Sequence, residues 1–110
     1  MKKRKIKYRV WLEEDGEIII GIGRDELLKQ IEETGSIRKA AENVGISYKK
    51  ALEYIKAMEK RTGKKLVETF RGGKEGGGAR LTPYAKKLSQ EFEDIKSKFD
   101  KLVKTLEKNG

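Results

Sequence analysis

This sequence predicts a mostly α-helical domain with a small β component, and three observations carry that reading. Two short amphipathic helices meet at a tight glycine turn within GSIRKAAENVGISYKKALEYIKAMEKRTG, Gly35 to Gly63. A glycine-rich stretch, Arg71 to Gly78, lies between two short strand-like runs. From Leu81 to Leu106 apolar residues recur at alternating spacings of four and three. A tight helix pair followed by a hairpin is a winged helix-turn-helix. The expected architecture adds an N-terminal β-hairpin and a long C-terminal dimerisation helix. Residues 1–82 are expected to form the domain, and 83–110 the helix that pairs two copies.

The chain opens with a basic tail, Lys2-Lys3-Arg4-Lys5, read as a solvated terminus. Ile6, Tyr8, Val10 and Leu12 then alternate with Lys5, Lys7, Arg9 and Trp11, the period of a half-buried strand. Asp15-Gly16 signals a hairpin turn, and Glu17 to Ile22 returns as the second strand. Gly21-Ile22-Gly23 starts like a dinucleotide fingerprint, but Glu26 stands where the third glycine belongs, so no nucleotide site follows. Asp25 and Glu26 begin a helix that runs through Leu27, Leu28 and Ile31 to Thr34. Its acidic first turn suits the helix dipole, so this helix reads as structural.

Gly35 can end that helix in a left-handed conformation, and Ser36 can cap the next. Ile37, Ala40, Ala41 and Val44 give this helix its apolar face, and Gly45 stops it. Ser47 caps the following helix, whose inner face is Tyr48, Ala51, Leu52, Ile55, Met58 and Thr62 by 3.6-residue periodicity. Stability alone would place Asp or Glu in the first turns, yet they hold Arg38-Lys39 and Lys49-Lys50. Two neighbouring helix starts with exposed cations suit phosphate. In this arrangement the second helix lies in a DNA major groove.

Lys65 to Phe70 reads as a short strand and Ala79 to Thr82 as its return. The five glycines around Lys74 do not fit the GxxxxGK[ST] phosphate loop, and they read instead as the tip of a wing. Thr82-Pro83 starts the last helix, with Thr as N-cap and Pro at the first helical position. Its seam of Leu81, Ala85, Leu88, Phe92, Ile95, Phe99, Leu102 and Leu106 has heptad spacing. A 25-residue helix is about 37 Å long, more than the body can cover. Leu88, Phe92, Ile95, Phe99, Leu102 and Leu106 are therefore expected at a dimer interface; the competing reading packs the helix back on its own domain, above all over its first two turns.

Charge agrees with a nucleic-acid partner. The chain has 27 Lys and Arg against 18 Asp and Glu, for a net charge of +9. Residues 35–65 hold nine basic and three acidic side chains, whereas 24–34 hold two and four. A basic region confined to one supersecondary unit is a nucleic-acid footprint. Without Cys there is no disulfide framework or thiol nucleophile, and without His the commonest metal ligand and general base is missing. No enzyme activity, cofactor or metal is expected. The longest apolar run, Ile18-Ile19-Ile20, is too short for a membrane span, so a cytoplasmic protein is expected.

One family shares these residues. Gly35-Ser36-Ile37 with Ala40-Ala41, Gly45-Ile46-Ser47-Tyr48-Lys49, and Gly72-Gly73-Lys74 with Gly76-Gly77-Gly78-Ala79 and Leu81-Thr82 form the pattern. It resembles the N-terminal winged-helix domain of ModE-type molybdate-responsive transcription regulators. More distantly it is similar to LysR-type regulators. The resemblance covers roughly Leu27 to Leu88 and implies a dimeric DNA-binding domain whose recognition helix starts at Ser47. Oxyanion sensing in that family belongs to a separate domain, which is not expected here. No molybdate or other oxyanion site is therefore expected on this chain.

The expected function is sequence-specific binding of double-stranded DNA by a homodimeric regulator. Ser47, Tyr48, Lys49, Lys50 and Glu53 are the groove candidates; Lys donates to guanine, and Glu accepts from cytosine. Arg38, Lys39, Arg71, Lys74 and Arg80 are assigned to the backbone. The alternative is a winged-helix protein-interaction subunit without sequence-specific DNA binding.

Overall fold

A computed structural model describes residues 3–71 and 78–109. The elements run β1 (Trp11–Glu14), β2 (Glu17–Gly21), α1 (Ile22–Thr34), α2 (Ile37–Val44), α3 (Tyr48–Thr62), β3 (Val67–Phe70), β4 (Gly78–Leu81) and α4 (Pro83–Asn109). Two antiparallel hairpins flank three packed helices, and α4 stretches the molecule to 58 Å along its longest axis. The winged helix-turn-helix architecture is the expected one.

Local chemistry explains most boundaries. Asp15 and Gly16 both take positive φ, as the two-residue β1–β2 turn requires. Ser36 Oγ accepts from Lys39 N at 3.1 Å, and Ser47 Oγ accepts from Lys50 N at 3.0 Å, so both serines are N-caps. At the end of α2, Ile46 N reaches Ala41 O and Gly45 N reaches Glu42 O, the paired closure of a Schellman turn. Gly45 has φ 81°, which favours glycine there. Thr82 Oγ1 accepts from Ala85 N at 3.2 Å and caps α4 ahead of Pro83.

The core lies where α1, α2, α3 and the start of α4 converge. Leu27, Leu28, Ile31, Ala40, Ala51, Met58, Leu66 and Phe92 are fully buried there. Polar ties fix the hairpins to this body. Glu59 Oε2 accepts from Leu66 N at 2.8 Å and holds the entry to β3. Arg61 donates to Ile18 O at 2.7 Å and pairs with Glu17 at 3.0 Å, joining the end of α3 to β2. Ala79 N donates to Gly35 O at 2.9 Å, which seats β4 on the α1–α2 junction. A Cβ on Gly78 would lie 3.0 Å from the same carbonyl, so glycine permits that approach.

Three expectations are corrected. The first strand is only Trp11–Glu14; Ile6 and Tyr8 run instead beside α4, where Ile6 N donates to Glu107 at 2.9 Å and Tyr8 bonds Asp100. The alternation there reflects one side of a segment lying on a helix rather than a ladder. The first helix begins at Ile22, three residues before Asp25, because the chain turns helical directly from the extended Gly21. Asp25 lies in the first turn, as expected, and it is also buried, 2% exposed, where it accepts from Ser89 Oγ on α4. Leu88 and Phe92 do not face outward from the seam, since both are buried in the core of their own domain.

Candidate nucleic-acid interface

The first turns of α2 and α3 form one cationic surface. Arg38, Lys39, Ser47, Tyr48, Lys49, Lys50 and Glu53 are all exposed, and Ala51 is the first buried residue of α3. Each cap fixes its helix start, so the cations stand on ordered backbone rather than on a loose loop. Free N–H groups at a helix start add partial positive charge to that surface.

Tyr48 is not on the inner face of α3. It is 38% exposed, and the Arg38 guanidinium carbon lies 4.3 Å from its ring centre. A cation over an aromatic face links the two helix starts and restricts the rotamers of both side chains. Lys50 pairs with Glu53 at 3.8 Å, an exposed contact one turn apart that opposes phosphate binding only weakly. Lys49 has no carboxylate within ion-pair distance among the described residues.

On the wing, Arg80 faces Glu68 across the β3–β4 ladder, with Nε 3.3 Å from the carboxylate. Its guanidinium also approaches the exposed Phe70 ring at 5.6 Å. Arg71 is exposed just beyond β3, and Lys74 lies outside the described residues.

Tyr54, absent from the expected set, adds a second cation–aromatic cluster. Arg24 of α1 lies 4.7 Å from its ring centre, and the Lys50 ammonium lies 5.5 Å from the same point. The Lys50–Tyr54 contact was readable as a one-turn neighbour on a helix. Arg24 is 30 positions away and had no local signal.

The far end of α4 carries a separate surface. Phe99, Leu102 and Leu106 are 45%, 52% and 51% exposed, and Ile95 is half-buried. Tyr8 covers one flank, its ring centre 6.0 Å from that of Phe99. No helix among the described residues is long and apolar enough to cross a membrane.

Residues 25–86 match the family described as bacterial regulatory helix-turn-helix protein, lysR family. The chain is 40% identical over 93 residues to the transcriptional regulator ModE of Haemophilus influenzae, covering 84% of this chain and 36% of that protein. It is 45% identical over 83 residues to the transcriptional regulator ModE of Yersinia pestis, covering 76% and 32%. The chain thus spans about a third of the length of these curated relatives. Among solved structures, a complex titled BenM_DBD/benA site 1 DNA superposes with a TM-score of 0.60 at 22% identity, covering 79% of this chain and 95% of that one.

Proposed function

Since the chain belongs to the bacterial regulatory helix-turn-helix family of lysR type, we propose that it is a transcription regulator that binds specific duplex DNA as a homodimer. The observation that carries this reading is the pair of serine-capped helix starts at Ser36 and Ser47, each followed by exposed cations. Stability does not account for them, because cations in a first turn oppose the helix dipole. The first turn of α2 then holds phosphates, and Tyr48, Lys49, Lys50 and Glu53 enter the groove, where Glu53 meets a base edge and the lysines reach base edges and the phosphates flanking them. Arg38 and Lys39 serve the backbone, as do Arg71 and Arg80 on the wing.

Dimerisation rests on the outer half of α4. Ile95, Phe99, Leu102 and Leu106 keep heptad spacing, and the last three expose large apolar surfaces. Burying each in a partner contributes about 1.5–3 kcal/mol. Leu88 and Phe92 support the same helix from inside the domain and take no part in the pairing.

Selection of bound fragments from random duplex DNA tests the reading. A palindromic consensus with half-sites about 34 Å apart is the expected outcome. Retention without any consensus would favour charge-driven binding alone, and no retention at low salt would remove DNA as the partner.

A further inference from the structure

We propose that Arg24 forms a phosphodiester contact outside the helix-turn-helix, extending the DNA footprint onto α1; this rests on the DNA-binding reading above. A cleft of about 220 Å³ opens between the start of α1 and the α2–α3 turn, lined by Gly21, Gly23, Arg24, Val44, Ile46 and Tyr54. Ile46 directly precedes the Ser47 cap, so the cleft adjoins the first turn of α3.

Arg24 has no carboxylate within ion-pair distance among the described residues, and its Nε is shielded from solvent without a hydrogen-bond acceptor. Buried guanidinium N–H groups ordinarily find a partner. The Tyr54 ring is what holds this guanidinium, at 4.7 Å, and Lys50 approaches the same ring at 5.5 Å. An aromatic face positions a cation without neutralising its charge, which leaves that charge available to an anion. Among the described residues Glu26 is the one acidic group lining the cleft, against the two cations gathered at Tyr54.

Placement argues for DNA rather than for the stability of α1. Arg24 sits in the first turn, where the dipole disfavours a cation. Four acids on that helix outnumber Arg24 and Lys29, and Lys29 is paired with Asp25 and Glu93, so Arg24 is the basic residue of α1 left facing the cationic surface beside it. With Nε shielded, the terminal N–H groups of the guanidinium are the ones that reach two oxygens of one phosphate.

Duplex titrations of the full chain across a range of salt concentrations test the claim, with wild type, Arg24→Gln and Lys49→Ala/Lys50→Ala compared. Arg24→Gln removes one contact from each protomer, so it should shallow the log–log salt slope of the dimer by about 1.8 and weaken binding roughly sixtyfold at 0.1 M salt. A scan of single neutral methylphosphonates should reveal one position in each half-site that weakens wild type but not Arg24→Gln. That position should differ from those silenced in the double lysine variant. Equal slopes and equal methylphosphonate profiles for wild type and Arg24→Gln would overturn the proposal. Failure of wild type to bind any duplex would instead overturn the underlying reading. If Arg24→Gln does not fold by circular dichroism, Arg24→Met replaces it, keeping the aliphatic stem without the charge, and the same slope and methylphosphonate outcomes decide.

Discussion

The guanidinium of Arg38 lies 4.3 Å from the centre of the Tyr48 ring, joining the first residues of two successive helices across the turn. Neither side chain is buried, so the contact orders surface that would otherwise sample several rotamers. Replacing Tyr48 with Ala should therefore lower DNA affinity while leaving melting nearly unchanged. A double-mutant cycle with Arg38→Ala should give a coupling of about 0.5–1 kcal/mol in binding, the range for an exposed cation–aromatic pair. Additive losses would show that the two side chains meet DNA independently.

Lys49→Ala with Lys50→Ala should weaken duplex binding without unfolding the domain. Exposed substitutions usually change stability by no more than about 0.5 kcal/mol, and the Lys50–Glu53 pair at 3.8 Å is exposed on both sides. Removing a lysine that neutralises one phosphate in each protomer should shallow the salt slope of the dimer by about 1.8. If the lysines also read bases, discrimination between sites should fall as well. Unchanged affinity would take the start of α3 out of the interface.

Phe92 and Phe99 occupy the same seam seven residues apart but should behave oppositely. Phe92 is completely buried, so Phe92→Ala should cost about 3–5 kcal/mol of stability. Phe99 is half-exposed, so Phe99→Asp should leave the fold intact and convert dimer to monomer. Thermal melting and sedimentation separate the two effects. A Phe99→Asp protein that still sediments as a dimer would place the pairing surface elsewhere.

Asp25 and Ser89 bridge α1 and α4 in the interior, with Ser89 Oγ donating at 2.5 Å. Lys29 pairs with Asp25 at 3.3 Å and also with Glu93 of α4, so the bridge extends to the surface. Asp25→Ala should destabilise by roughly 2 kcal/mol, since it strands a buried hydroxyl and removes a hydrogen bond to a charged group. Asp25→Asn should lose less, because its amide oxygen can still accept from Ser89. Equal melting temperatures for wild type and Asp25→Ala would show that the bridge contributes nothing.

The packing of the N-terminal segment on α4 should fail at both ends of the pH range. The Tyr8 hydroxyl bonded to Asp100, and then the Lys96 ammonium 2.9 Å from it, hold the Asp100 carboxyl below its ordinary value. A lowered carboxyl pKa stabilises fully above that ordinary value, and the effect is lost as pH falls through the folded-state value. The same hydrogen bond raises Tyr8 above its ordinary value near 10, so its contribution is full below that pH and fades as pH rises through the raised value. Tyr8 ring resonances in the intact chain should move at both extremes and stay constant between them. Tyr8→Phe should abolish the acid-side movement. A Tyr8 signal indifferent to acid would detach this segment from Asp100.

Features whose cause lies within a few residues were legible in the amino-acid order. Ser36, Ser47 and Thr82 cap helices, Gly35, Gly45 and Gly63 end them with positive φ, and Asp15-Gly16 turns the first hairpin. Each rests on a backbone group that a nearby side chain satisfies, or on a φ that glycine tolerates, so local pattern was sufficient. Which neighbour covers each face was settled only by packing. Heptad spacing put Leu88, Phe92 and Phe99 on one stripe, but the body reaches only as far as the first two, leaving Phe99 half-exposed. Periodicity likewise put Tyr48 with Ala51, yet the start of α3 is uncovered and Arg38 takes the ring. Asp25 meets Ser89, Tyr8 meets Asp100, and Arg24 meets Tyr54 only once distant segments are packed together. A period assigns residues to a face; burial depends on what long-range packing brings against it.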